Sequence, residues 1–149
     1  MKKATRATAF KFLRERSVAV LATVGSGGWP STTPIMYVVT ADRKLRFVTK
    51  DQTTKFRNLS STDKIALSVV DGERMIAVNI SGQARIISEL SDMSSTLRAI
   101  GSLAKTDNPL PVIKHQLGDY VVVEIDPKHM QYADYSSTSP QQKTFTHDL

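Results

Sequence analysis

The chain of 149 residues has no cysteine, one tryptophan and three histidines. No apolar run approaches the roughly 20 residues that a bilayer-spanning helix needs. Without cysteine there are no disulfides, no thiolate metal sites and no cysteine nucleophile. His115, His129 and His147 are scattered at no metal-ligand spacing and read as surface or capping residues, so no metal site is expected. Serines are plentiful, but none sits in a strand–turn–helix elbow, and no nucleophile triad can be assembled. No catalytic side chain is therefore assigned, and any demanding chemistry falls to a cofactor. The glycine cluster Gly25-Ser26-Gly27-Gly28 is not a phosphate loop of the kind that opens a helix, because Trp29-Pro30 and an extended β-branched run follow it.

What is present is the composition of an ordinary soluble domain, 40% hydrophobic and 23% charged. The length suits one domain, 1–149, with a real core. The short apolar run 18–24 comes after a basic helical segment and does not read as a signal peptide, so a cytoplasmic location is expected, with no membrane association. The net charge of +6 is uneven: Lys2, Lys3, Arg6, Lys11, Arg14 and Arg16 outweigh Glu15 in the first sixteen residues. That face lacks the interleaved aromatics that stack on bases, and nucleic acid is not the expected partner.

Along the chain, residues 5–16 read as an amphipathic helix with Ala9, Phe10, Phe12 and Leu13 on its apolar stripe, suited to lying across a barrel mouth or a partner. Residues 18–24, 35–40, 45–49, 65–70 and 75–84 read as strands joined mostly by short turns. Gly82 marks a bulge or bend that lets the sheet curve. Residues 90–106 carry Met93, Leu97, Ile100 and Ala104 on one helical face, with Ser91 or Asp92 as cap. Asp107 to Pro111 break that helix. Residues 120–125 form a further strand, and 129–135, after Asp126-Pro127, a last one. The polar residues 136–149 are expected to be a flexible tail.

Residues 45–59, LRFVTKDQTTKFRNL, organise the rest. Leu45, Phe47 and Thr49 alternate with Arg46 and Val48, and then Phe56 and Leu59 recur at helical spacing. The period changes across Lys50-Asp51-Gln52, with Asp51 or Gln52 as the expected helix cap. Thr53, Thr54 and Lys55 then fall at a helix N-terminus with unpaired amides and the positive end of the dipole. Two hydroxyls and an ammonium there suit a phosphate monoester, although the same residues also suit a plain solvated helix start.

The order of elements, together with the run Ser31 to Val38, the pattern Leu45 to Thr49 followed by Thr54-Lys55-Phe56-Arg57-Asn58-Leu59, and Ile65 to Val69, resembles the pyridoxamine 5'-phosphate oxidase-like FMN-binding split barrels over about residues 10–135. The resemblance implies a mainly β fold, a six-stranded antiparallel split β-barrel of Greek-key type with peripheral α-helices. It further implies a homodimer with the cofactor at the subunit interface. By the same resemblance Thr54 and Lys55, beside Thr53, hold the FMN phosphate, and Val48 and Thr49 lie along the ribityl chain and ring. Thr33, Pro34, Ile35 and Met36 present backbone groups to the polar edge of the isoalloxazine.

The chain departs from pyridoxamine phosphate oxidases proper, which offer an arginine at the position of Thr33, a lysine at that of Val38, and a C-terminal tryptophan and arginine. It is more similar to the short general stress protein-like branch. The implied activity is a flavin-dependent oxidoreductase of unknown small-molecule substrate and electron donor. The alternatives are a non-catalytic flavin-binding or stress-related protein, or a deazaflavin-dependent reductase in which Lys50 and Arg57 meet a longer acidic tail. Trp29, Tyr37 and Tyr135 are aromatic candidates for stacking on a cofactor, or else for ordinary core or interface packing.

Overall fold

A computed structural model describes residues 4–106, 119–136 and 141–146. The expected helix break at Asp107 to Pro111, and also His115 and His147, lie outside the described residues. The elements are α1 (Arg6–Arg14), β1 (Val18–Val24), β2 (Pro30–Val39), β3 (Leu45–Lys50), α2 (Thr54–Ser61), β4 (Lys64–Asp71), β5 (Ile76–Ile86), α3 (Leu90–Thr106), β6 (Tyr120–Asp134) and β7 (Gln141–Thr146). The strands run in the order β3-β2-β1-β4-β5-β6-β7, and an additional β3–β6 pairing closes the first six into an antiparallel barrel. The connection from β3 to β4 passes to the far side of β1, which gives the Greek-key crossover, and α2 is that connection.

Alternation fills the barrel. Leu21, Tyr37, Leu45, Phe47, Leu67, Val78, Ile80, Val123 and Ile125 all point inward and are buried. At one mouth α1 supplies the plug: Ala9, Phe10, Phe12 and Leu13 join the same core, as the apolar stripe predicts. Thr5 caps α1 through a reciprocal box with Thr8, and the buried Tyr37 hydroxyl donates to the Leu13 carbonyl at 2.7 Å. Burial raises the Tyr37 phenol well above its ordinary pKa.

A second core lies outside the barrel wall. Met36, Val48 and Val122 on the outer face of β2, β3 and β6 pack with Ile87 and Ile100 beneath α3. The expected stripe of α3 is rotated: Met93 and Ile100 face this core and Thr96 is buried, whereas Leu97 is exposed. Ala104 falls where side chains are not described. Ser91 and Asp92 sit inside the first turn rather than capping it, because the helix begins at Leu90 and the Met93 amide already donates to the Glu89 carbonyl at 3.0 Å. The helix is moored by charge as well. Glu124, 3% exposed, receives Arg46 and Arg85, and Arg46 reaches on to Asp92 of α3 at 3.3 Å.

Two expectations about β6 need correction. Pro127 does not end one strand and start another, since β6 runs unbroken from Tyr120 to Asp134. The register shifts between Ser81 and Gly82, which pair with His129 and Pro127, so Lys128 is the extra residue of a bulge that absorbs the proline. The bend brings the Asp126 carbonyl to 2.4 Å from where a Cβ on residue 82 would stand, which is why Gly82 is needed there. Beyond it, residues 136–149 are not a flexible tail throughout. Gln141–Thr146 forms β7, paired antiparallel with β6 from His129 to Asp134.

Candidate functional site

The barrel is split on one side. Pairing between β2 and β3 covers only Val39↔Leu45, Val38↔Arg46 and Tyr37↔Phe47. Beyond that point residues 48–50 continue along β6, opposite residues 120–122, while residues 30–36 continue along β1. The two facing edges therefore separate. The Tyr37 amide donates to Ser17 on the β1 side at 2.9 Å. By strand alternation, the Met36 amide and the Pro34 carbonyl turn toward the split.

The N-terminus of α2 stands at the end of this split, and its cap is not the residue the sequence suggests. Thr53 is the N-cap: its hydroxyl accepts from the Phe56 amide at 3.4 Å, donates to the Lys50 carbonyl at 2.9 Å and lies 3.0 Å from the Thr49 hydroxyl. Asp51 is engaged elsewhere. Its carboxylate accepts from the Asp119 amide and its own amide donates to the Asp119 carbonyl, both at 3.1 Å, so it ties the end of β3 to the start of β6. Gln52 is exposed. With Phe56 satisfied by the cap, the amides of Thr54 and Lys55 have no intrahelical acceptor.

The proposed side chains thus fall into two sets. Thr49 and Thr53 are buried and bonded to one another, and Ile35 points into the barrel core. Met36 and Val48 are buried together under α3, so these five can offer a ligand backbone edges and apolar walls rather than free side-chain polar atoms. Thr33 is half-buried, its hydroxyl 3.5 Å from the Pro34 carbonyl, and Pro34 is exposed on the lip. Thr54 is exposed and accepts from Arg57 Nη2 at 3.1 Å.

Lys55 is the distinctive member. It is half-buried, and desolvation pulls its pKa below the ordinary lysine value. Among the described residues no carboxylate forms an ion pair with it. A desolvated ammonium beside two free amides at a helix N-terminus is an arrangement that an anion stabilises. Lys50, by contrast, is buried against Tyr120, with its ammonium 4.8 Å from the ring centroid.

Sequence reasoning missed Asn58. Its side-chain amide donates to Thr23 at 3.0 Å and Ser31 at 3.1 Å, pinning α2 to the turn end of the β1–β2 hairpin and so fixing where the helix N-terminus lies. Its only sequence signal is a polar residue between Phe56 and Leu59 on the buried side of the helix. Of the three aromatic candidates, Tyr37 is core, whereas Trp29, at the tip of that hairpin, is 82% exposed and Tyr135 is exposed as well. Among the described residues no cluster of three or more potential metal ligands occurs, and no helix is long and apolar enough to cross a membrane.

The fold recurs in solved structures. A conserved hypothetical protein from Mycobacterium tuberculosis matches with 21% identity and a TM-score of 0.71 over 89% of this chain and 86% of the other. A pyridoxamine 5'-phosphate oxidase-related, FMN-binding protein from Nostoc punctiforme matches at 12% identity and a TM-score of 0.66 over the whole of both chains. A protein from Clostridium acetobutylicum related to general stress protein 26 matches at 16% identity and 0.66, over 94% of this chain and 92% of that one. No match was found among the curated proteins. The family model for pyridoxamine 5'-phosphate oxidase matches residues 5–134, from the cap of α1 to the end of β6, taking in both lips of the split and the helix at its end, and the chain belongs to that family.

Proposed function

We propose that this protein binds FMN in the split, as one of a pair of sites in a homodimer, and acts as a flavin-dependent oxidoreductase on a small molecule. The observation that carries the reading is Lys55: an ammonium partly removed from water, without a carboxylate partner among the described residues, at the N-terminus of the helix that ends the split. The residues present fit the cofactor. Lys55, Thr54 and the first amides of α2 would hold the phosphate, with Thr53 fixing the turn and Thr49 holding Thr53. The backbone edges at 33–36 and 48–49 would face the ribityl chain and ring, and the apolar packing of Met36 and Val48 under α3 would exclude water.

FMN supplies the electron chemistry when bound; the chain's own part is to bind, orient and shield it. The outer face of β1 and β4 is suited to a second copy, since Val18, Val20 and Val70 are exposed there. A groove of about 440 Å³ lies beside Val20, lined also by Ala22, Ala66, Ser68, Asn79 and, on β6, Gln131.

The test is an absorption spectrum of the protein after loading with FMN and gel filtration. Oxidised-flavin bands at about one per subunit, eluting at the mass of a dimer, support the site. Lys55→Ala should weaken FMN binding by about tenfold or more, since a charge-assisted hydrogen bond contributes ~1.5–3 kcal/mol. Unchanged affinity overturns the phosphate assignment. Substrate-dependent bleaching of the flavin band without oxygen separates an enzyme from a flavin carrier.

A further inference from the structure

A cluster of arginines lies at the opposite end of the barrel, beside α1 and the β2–β3 turn. Phe10 of α1 is fully buried, and three guanidiniums converge on its ring: Arg6 at 5.6 Å, Arg14 at 5.9 Å and Arg43 at 5.5 Å from the centroid. The neighbouring Phe12 carries two, Arg16 and Arg74, both at 5.7 Å. These two groups of cations differ in one respect. Around Phe12 the charges are neutralised, with Arg16 paired to Asp71 and Arg74 to Glu15 at 2.9 Å. Around Phe10 they are not: among the described residues Arg6, Arg14 and Arg43 have no ion pair.

The carboxylates nearby are already engaged. Asp126, whose charge reaches Arg6, is held by Lys128 at 2.8 Å and Lys44 at 3.6 Å. Asp42 accepts from the Thr40 hydroxyl at 2.5 Å, and Arg14 donates to the Thr40 carbonyl at 3.4 Å. An independent backbone feature points the same way. Arg43 has φ +64, the left-handed region that glycine or asparagine occupies readily, so the β2–β3 turn holds an arginine over the ring in a conformation its side chain disfavours. Cation–π contact offsets part of the mutual repulsion, and the remainder is relieved by a multivalent anion.

We propose that Arg6, Arg14 and Arg43 form a binding site for a compact chain of linked phosphates, separate from the FMN split. The footprint decides the ligand class. Three guanidiniums gathered around one ring suit adjoining phosphates rather than a long backbone, and Phe10 lies beneath them, unavailable for stacking on bases. The site does not depend on the flavin reading.

The experiment is calorimetric titration of the full chain carrying Lys55→Ala, so that the α2 terminus does not contribute, with inorganic tripolyphosphate and with orthophosphate at matched ionic strength. Tripolyphosphate should bind at least about tenfold tighter than orthophosphate. Adding Arg6→Gln, Arg14→Gln and Arg43→Asn together should weaken it by about tenfold or more, while Arg74→Gln leaves it unchanged. Arg43→Asn suits the positive φ, so this single variant, expected to lose about threefold, is read if the triple variant does not fold. Equal binding by the triple variant, or no preference for tripolyphosphate, overturns the site. Arginine-dependent binding of a single-stranded oligonucleotide without tripolyphosphate binding reassigns it to nucleic acid.

Discussion

Replacing Glu124 tests how α3 is held over the split. Its carboxylate, 3% exposed, receives Arg46 through Nε and Nη2, both at 2.7 Å, and Arg85 through Nε at 3.1 Å and Nη2 at 3.0 Å. Glu124→Met removes both forks and leaves the Arg46 guanidinium, 13% exposed, with Asp92 alone at 3.3 Å. Breaking a buried pair from one side costs about 3–5 kcal/mol, because the remaining charge stays desolvated. Arg85, 56% exposed, rehydrates freely, and Arg46 keeps one partner, so the lower end applies: about 3 kcal/mol. In the double variant Glu124→Met with Arg46→Met, apolar chains of similar volume adjoin the second core and no charge is stranded, and the loss should shrink to about 1 kcal/mol or less. Urea unfolding followed by circular dichroism for both single variants and the double gives the coupling energy directly. A Glu124→Met cost below about 1 kcal/mol, or a double variant equal to the sum of the singles, would refute the clamp.

Two further outcomes follow from single atoms. Gly82→Ala places a Cβ against the backbone of Asp126 and Pro127, where no side chain can swing away, and should lower stability by about 2–3 kcal/mol, whereas Gly72→Ala, with nothing within 4 Å, should stay within about 0.5 kcal/mol; thermal melts of the pair decide it. Because burial lowers the Lys55 pKa below 10.5, its ammonium is lost at a lower pH than that of an exposed lysine. FMN affinity should therefore fall on the alkaline side as pH rises through that lowered value, and Lys55→Arg should remove this limb. A flat profile in the unmodified protein, measured by flavin fluorescence quenching, counts against Lys55 as the phosphate ligand.

The sequence shows those parts of the molecule whose signal is local. The apolar stripe of α1 and the inward alternation of β3 each require one face buried, and that face is written as a period. The bend at Gly82 was legible because a lone glycine in a strand has few other reasons to be there. β7 was not: QQKTFT pairs along the edge of β6, so backbone hydrogen bonds rather than an apolar face make it a strand. Pro127 reads as a terminator unless the bulge opposite Gly82 is known. Asp51 and Gln52 are better caps by composition than Thr53, but Asp51 is taken by Asp119, 68 residues away. At the site, the hydroxyls and ammonium could be named from sequence. What the sequence did not reveal was that Thr53 is already occupied, so that Lys55 is the group left without a carboxylate partner among the described residues.

The closing pairs of the barrel also bear on how the protein is made. Leu45 meets Ile125 and Lys50 meets Tyr120, partners far apart in the chain, so closing the β3–β6 seam costs more loop-closure entropy than forming the hairpins does. The Asp51–Asp119 link at the end of that seam positions the turn into α2. On the FMN reading proposed above, the turn that would hold the phosphate therefore rests on a long-range contact, and a partly folded chain in which the seam is open would lack that place for the cofactor. Flavin capture would then occur only on chains that have finished folding, and the appearance of bound flavin would mark completion of the barrel.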